Sequence, residues 1–331
     1  MLTYEQLPQF MPSGVVSPSS LGVIQAEGPD AATFLQGQLT HDVLLLPVGQ
    51  ARLAGYCSAK GRLLASFWVL KISAENFILI CHADLIPNMV KRLSMFIMRA
   101  KVKISDASAL YRLTGLLGTA VSAVNPTTEV ISPWHVTSLA DSKAQLLHLY
   151  PAVSINGSLA RALLISESST PTPAELLAHS LQNLDQDDWQ LSEVLSGISM
   201  VQLRTSDAFV PQMLNYESVN GVSFKKGCYP GQEVVARSQF RGTLKRRAYL
   251  VSSNEAMSVG DEVFSAEDST QACGSVASAS TYVPDGTPSP QSYWGIVSMQ
   301  TSAAGHALHL VSSQGPALHV HPLPYALLED V

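Results

Sequence analysis

The sequence predicts an α+β chain of two or three domains that closes with a small antiparallel β-barrel or sandwich. Three observations carry this. The length, 331 residues, exceeds one ordinary domain of roughly 100–200 residues. Hairpin-like apolar runs mix with single amphipathic helices and show no regular βαβ alternation, which disfavours a doubly wound parallel sheet. From about Leu244 six short strand-like runs follow one another, divided by Gly, Pro, Asp and Ser. Charged residues are 14% and hydrophobic residues 46%, a balance that excludes disorder and suits sizeable cores.

Residues 1–20 are rich in Pro and Ser and read as a loosely held arm. Leu21–Glu27 reads as a strand, after which Gly28-Pro29-Asp30 offers a cap to a helix through Phe34 and Leu35. Ala51–Ser58 and Leu63–Ile72 are strand-like, and Ala59-Lys60-Gly61-Arg62 reads as the turn between them, with Gly61 in the left-handed position. Asn76–His82 is a further strand. Asp84 can cap a helix whose apolar face holds Ile86, Met89, Val90, Leu93, Phe96 and Ile97. Lys101–Ser105, Tyr111–Leu117, Gln145–Tyr150 and Ala160–Ile165 read as strands, and Pro173–Asn183 and Asp188–Ser196 as helices. The last six strands are Tyr249–Ser252, Glu262–Ser265, Gly274–Ser280, Tyr293–Gln300, Ala307–Ser312 and Ala317–Pro322. The expected divisions are an arm over 1–20, an α+β portion over 21–120, a second over 121–243 and the β-domain over 244–331.

No stretch approaches the roughly 18–20 apolar residues of a membrane span. The N-terminus has neither a basic nor an apolar leader region, so no secretion signal is expected. Four cysteines without C-x-x-C spacing suit neither a disulfide framework nor a self-contained zinc site. A cytoplasmic protein is expected. There is no G-x-G-x-x-G after a strand, no phosphate loop, no G-x-S-x-G and no H-E-x-x-H. His319 and His321 alternate on a strand and could share a face, yet lack further ligands at suitable spacing, so surface histidines are expected and no metal site.

The net charge of −6 argues against a nucleic-acid-coated surface, but the cations are segregated. Lys91–Lys103 carries +5 and Lys225–Arg247 carries +6, against −17 for the remainder. Either these segments form a groove for an anion, such as a polyglutamate tail, a phosphate or an RNA backbone, or they are two solvated faces that never meet.

Phe224–Glu233, FKKGCYPGQE, concentrates the chemistry. Two glycines and a proline force a tight turn around one thiol, Cys228. Lysines just before it favour thiolate where the sulfur is exposed near Lys226. Gln232 and Glu233 add an amide and a carboxylate. The alternative is a structural turn around a buried, inert cysteine.

Lys225–Gly242, KKGCYPGQEVVARSQFRG, resembles the signature of the YgfZ family of folate-binding, tRNA-modifying proteins tied to iron–sulfur enzyme maintenance. Phe209–Gln212, Gly221–Phe224, Gln36–Thr40 with Asp42, and Ala59–Arg62 match the family in order, so the resemblance spans about residues 21–250. It implies a fold similar to the glycine cleavage T-protein: an α+β folate-binding portion, a ferredoxin-like portion and a C-terminal antiparallel β-barrel. It implies tetrahydrofolate, polyglutamylated or not, in a channel between domains. Trp189 would stack on the folate, and Cys228 would be the reactive thiol at the channel wall. Lys226 would tune the thiol; Tyr229, Gln232 and Glu233 would line the ligand; Arg237 and Arg241 would contact its anionic groups. The implied partners are iron–sulfur enzymes, with tRNA engaged directly or indirectly; no membrane contact and a monomer are expected. Two departures stand out. A folate-associated tryptophan of the family falls on Leu21, and a carboxylate expected after the W-x-L helix falls on Leu195, with Glu193 able to substitute only if the helix is rotated. The T-protein's aspartate falls loosely at Asp84, where an N-cap would explain it. Two other readings follow: a folate-dependent aminomethyl or one-carbon transferase, and a tRNA-binding module.

Overall fold

The computed structural model describes residues 11–127, 129–139, 144–155, 157–170, 181–240, 244–283 and 291–328. β1 (Gly14–Val16) is followed by β2 (Leu21–Glu27), α1 (Ala31–Gln36), β3 (Ala51–Cys57), β4 (Leu63–Lys71), β5 (Asn76–His82), α2 (Ile86–Met95) and β6 (Lys103–Asp106). β2 to β6 form an antiparallel sheet of order β3-β4-β5-β2-β6. Its core strands are apolar on both faces: Phe77, Ile78, Leu79 and Ile80 are all 0% exposed. β7 (Tyr111–Leu117), α3 (Thr119–Val124), β8 (Val136–Leu139), β9 (Ala144–Ser154) and β10 (Gly157–Glu167) follow, and with β1 form a second sheet of order β1-β7-β10-β9-β8. Here the strand period of two sorts the side chains. Leu146, Ala162 and Leu164 pack with α3, while Leu147, Leu163 and Ile165 face the central core.

α4 (Gln186–Leu195) starts with a capping box between Asp185 and Asp188 and ends at Gly197, whose φ is +70°. After an irregular stretch comes α5 (Gln232–Phe240). β11 (Arg246–Ser253), β12 (Glu262–Ser265), β13 (Asp268–Tyr282), β14 (Ser292–Gln300), β15 (Leu308–Leu310) and β16 (Ala317–His321) close a six-stranded antiparallel barrel, which leaves no free edge. α4 lies between the second sheet and the barrel. Gln190 donates to the Ala279 carbonyl at 2.7 Å, and Ser199 and Ser278 share a hydrogen bond of 2.6 Å.

Several expectations are corrected. Asp30 caps nothing through its side chain; its carboxylate accepts from Lys101 N at 2.7 Å and ties α1 to the approach to β6. Asp84 is no N-cap either: it lies in a 3-10 turn ahead of α2. α5 is a helix where only an irregular motif was foreseen. The predicted helix Pro173–Asn183 lies mostly outside the described residues; its end runs extended, with Val15 N bonded to the Gln182 carbonyl at 2.8 Å. His319 and His321 do not share an environment: His319 is exposed, while His321 stacks on Trp294 at 4.7 Å and bonds Ser252 at 2.7 Å. Among the described residues no His/Cys/Asp/Glu group could hold a metal, and no helix is long and apolar enough to cross a membrane.

Candidate functional site

Two adjoining cavities lie where α4 meets the sheets and the barrel. The first, a narrow cleft, is lined by Leu21, His82, Gln190, Glu193, Met200 and Ser278, among others. The second, also narrow, is lined by Trp68, Trp134, Tyr150, Arg161 and Ser196, and shares Glu193, Ile198 and Met200 with the first. The three aromatics form one wall: Trp134 lies 6.5 Å from Trp68 and 5.6 Å from Tyr150. Trp134 has φ +69°, a left-handed conformation costly for a bulky residue. Its indole N–H holds the ring by donating to the Val219 carbonyl at 2.9 Å.

The polar groups of these cavities are few and deliberate. Arg161, 4% exposed, sits within an apolar strand. Its Nε donates to Ser192 at 2.9 Å and its Nη1 to the Tyr150 carbonyl at 3.2 Å, while the guanidinium lies 5.0 Å over the Trp189 ring. Burial lowers its pKa to about 10, partly opposed by Glu193. Glu193 is pushed up to about 7 by burial, against the pull of Arg161 and the Trp189 indole. Arg161 Nη2, Glu193 Oε1 and Trp68 Nε1, all on cavity-lining residues, are buried without a hydrogen-bond partner. Such atoms cost roughly 1–3 kcal/mol each unless something satisfies them, so the site is shaped for a polar edge that the chain does not supply.

His82 reaches the first cavity from the end of β5. Its Nδ1 lies 2.8 Å from Asp84 Oδ1, and Asp84 Oδ2 accepts from Leu203 N at 3.0 Å. Asp84 therefore lies beside a cavity histidine, whose Nδ1 makes no hydrogen bond of its own.

The signature segment builds a separate face. Gly231 (φ +77°) sits so close to the Ala59–Arg62 turn that an added Cβ would lie 2.4 Å from the Ser58 carbonyl and 2.5 Å from Gly61 Cα. Lys226, 8% exposed, turns its ammonium inward to the carbonyls of Gln36 and Leu39 and lies 4.9 Å over the Tyr229 ring. Burial lowers its pKa to about 8, opposed by Asp42 and Cys228. Cys228 is exposed; Cys57, Cys81 and Cys273 are buried. Burial pushes the Cys57 thiol up to about 12.

The predicted site residues thus divide. Cys228, Lys226, Tyr229, Gln232, Glu233 and Arg237 come together around α5, but none lines either cavity, so the thiol does not stand at this channel wall. Arg241 lies outside the described residues. Trp189 does not present a stacking face: it is 0% exposed, with Arg161 over the ring and Gly115 so close that an added Cβ would meet its Cε3 at 2.5 Å. Leu195 is core at 0% exposed, and Glu193 occupies the place by the cavity instead. Leu21 lines the first cavity without the aromatic face that the family's tryptophan would offer. Trp68, Trp134, Tyr150 and Arg161 were missed. For Arg161 a signal existed: one charge inside the run Ala160–Ile165 demands a buried partner.

The description "GCVT N-terminal domain" matches residues 12–129. A tRNA-modifying protein YgfZ from Yersinia enterocolitica is 30% identical, with 100% of this chain and 96% of that protein covered. One from Colwellia psychrerythraea is 32% identical over 76% of each. Among solved structures, glycine cleavage system aminomethyltransferase T from Bartonella henselae aligns with TM-score 0.65 and 17% identity over 96% of this chain and 87% of that one. The expected T-protein-like α+β fold with a closed C-terminal barrel is therefore the fold of this chain. Its identity and coverage with curated relatives also settle its kinship: the chain belongs to the YgfZ family.

Proposed function

We propose that this protein is a folate-binding accessory factor of tRNA modification that supports iron–sulfur enzymes and works as a cytoplasmic monomer. The observation that carries the reading is the aromatic-walled cavity whose lining residues leave three buried polar atoms unpartnered, Arg161 Nη2, Glu193 Oε1 and Trp68 Nε1. A reduced folate fits that donor set, with a flat ring for the aromatic wall and a hydrogen-bonding edge for Glu193 and Arg161. When bound, a folate supplies a carrier for one-carbon units; the chain's own residues bind it, orient it and keep water from it. Relatives named tRNA-modifying support the cellular setting. Cys228, exposed, is free to meet a client as the reactive thiol, on a turn that Lys226 stabilises and near Gln232, Glu233 and Arg237 in the sequence.

Calorimetric titration with tetrahydrofolate tests the ligand. Wild type should bind, and Glu193→Ala should lose roughly tenfold or more in affinity, as for a lost charged hydrogen bond. Unchanged affinity in that variant removes the cavity assignment. Cys228→Ala should bind folate normally and fail to complement a null strain; full complementation removes the thiol role.

The His82–Asp84 contact favours a second reading, a one-carbon transferase, because it puts a carboxylate beside a proton-transfer group at the same cavity. Turnover of an aminomethyl donor with tetrahydrofolate would establish it, and loss of that turnover in His82→Gln would locate it.

A further inference from the structure

We propose that Arg161 sets the ligand specificity of the cavity, and that with Glu193 it selects a ring carrying adjacent lactam N–H and C=O groups. This rests on the folate reading and names the edge that is recognised.

Arg161 and Glu193 line the same cavity and feel each other's charge, yet no ion pair joins them. Each keeps one buried polar atom free, Nη2 on the arginine and Oε1 on the glutamate. The guanidinium cannot swing across to close the gap, because Ser192 and the Tyr150 carbonyl hold two of its nitrogens and Trp189 lies beneath it. A fixed donor and a carboxylate acceptor line one cavity together with its aromatic wall. Arginine cannot act as an acceptor, so its partner must be an oxygen or an unprotonated nitrogen. A lactam ring fits both sides: its N–H donates to the glutamate and its C=O accepts from the arginine.

A glutamate acting alone would favour a 2,4-diamino ring, which protonates more readily and pairs with a carboxylate. Arg161 reverses that preference, since a 4-amino group sets donor against donor beside a like charge.

The test is anaerobic titration of purified full-length protein with tetrahydrofolate and with tetrahydroaminopterin, which carries a 4-amino group in place of the 4-oxo group. Wild type should favour tetrahydrofolate by about 10- to 100-fold, the effect of one charged hydrogen bond lost. Arg161→Met should bring the two ligands to within about threefold of each other. Wild type that binds both alike, or favours the diamino ligand, overturns the proposal even where Arg161→Met does not fold. Persistence of the preference in folded Arg161→Met also overturns it. Failure of wild type to bind either ligand defeats instead the folate reading on which it stands.

Discussion

At the residue scale, the two buried charges of opposite sign behave differently with pH. Glu193 has its pKa raised from an ordinary 4.5 to about 7, burial being the first cause. The folded chain therefore holds a proton that the unfolded chain has released. Its contribution to stability is most favourable below pH 4.5 and is lost as pH rises towards 7. The groups facing it are Arg161, the Trp189 indole and, across the first cavity, His82. Glu193→Gln cannot ionise, so its melting temperature relative to wild type should climb between pH 5 and pH 8. Thermal melts at both pH values check this; a constant difference contradicts it. Lys226 makes a structural demand instead, since its ammonium satisfies two carbonyls of the Gln36–Leu39 turn. Lys226→Met should cost about 2–3 kcal/mol in urea denaturation, by leaving those carbonyls without a donor. The identity of Lys226 as an important residue was legible in the sequence, but its direction was not. Nothing in K-K-G-C tells whether the second lysine points to the thiol or to a turn nearly 190 positions away.

At the element scale, most strands were legible because each is an apolar run closed by turn residues. Leu21–Glu27, Asn76–His82, Tyr111–Leu117 and Glu262–Ser265 have the bounds expected from that rule. α5 was not, for a physical reason. Only Val235 and Gln239 on it are buried, so it shows no apolar periodicity, and its paired valines suggest strand. Its position comes from tertiary contact: Gln212 Nε2 donates to the Val235 carbonyl at 2.8 Å, and Gly231 backs onto Gly61 at its N-terminal approach. This makes the two glycines unequal. A Cβ on Gly61 would meet the Val234 side chain at 2.7 Å, whereas one on Gly231 would meet backbone at 2.4 Å and 2.5 Å. Both have positive φ, +71° and +77°, so both alanine variants carry conformational strain of about 1 kcal/mol or more. Gly231→Ala should be the more destabilising. The 2.7 Å contact is to Val234 Cβ, so adding Val234→Gly should recover part of the loss in Gly61→Ala and little of the loss in Gly231→Ala. A double-mutant cycle in urea reads both couplings; equal recovery would refute the backbone clash.

At the scale of the whole molecule, the segregated cations prove to be partly internal. In Lys225–Arg247, Lys226 serves the Gln36–Leu39 turn, Arg247 pairs with buried Glu217 at 2.8 Å, and Arg246 donates to the Cys273 carbonyl at 2.9 Å. Fewer charges remain for an anionic partner than the count of the segment suggested, because sequence charge says nothing of which heads turn inward. Of these contacts Arg247–Glu217 joins the barrel to the rest, and others do the same. Asn215, at φ +58°, accepts from Ala248 N at 3.1 Å and donates to its carbonyl at 2.9 Å, acting as a short strand partner for β11. Tyr325 bonds the Gly197 carbonyl at 2.7 Å and lies 5.8 Å from the cavity residue Tyr150. The central core in turn includes Leu250, Trp294 and Ile296 of the barrel. The cavity thus exists only while the barrel is seated, since Ser278 lines one side and His82 the other. Asn215→Ala removes both bonds to Ala248 and leaves a buried N–H and C=O without partners, a loss of about 2 kcal/mol or more. The loss falls on one junction, so unfolding should cease to be all-or-none. Three of the four tryptophans, Trp68, Trp134 and Trp189, lie outside the barrel, so tryptophan emission follows mainly the rest of the molecule while far-UV circular dichroism also reads the barrel strands. In urea, far-UV circular dichroism and tryptophan emission should coincide in wild type and separate in Asn215→Ala, with folate affinity lost at the first transition. Coincident transitions in the variant would mean that the barrel is held by its apolar contact alone.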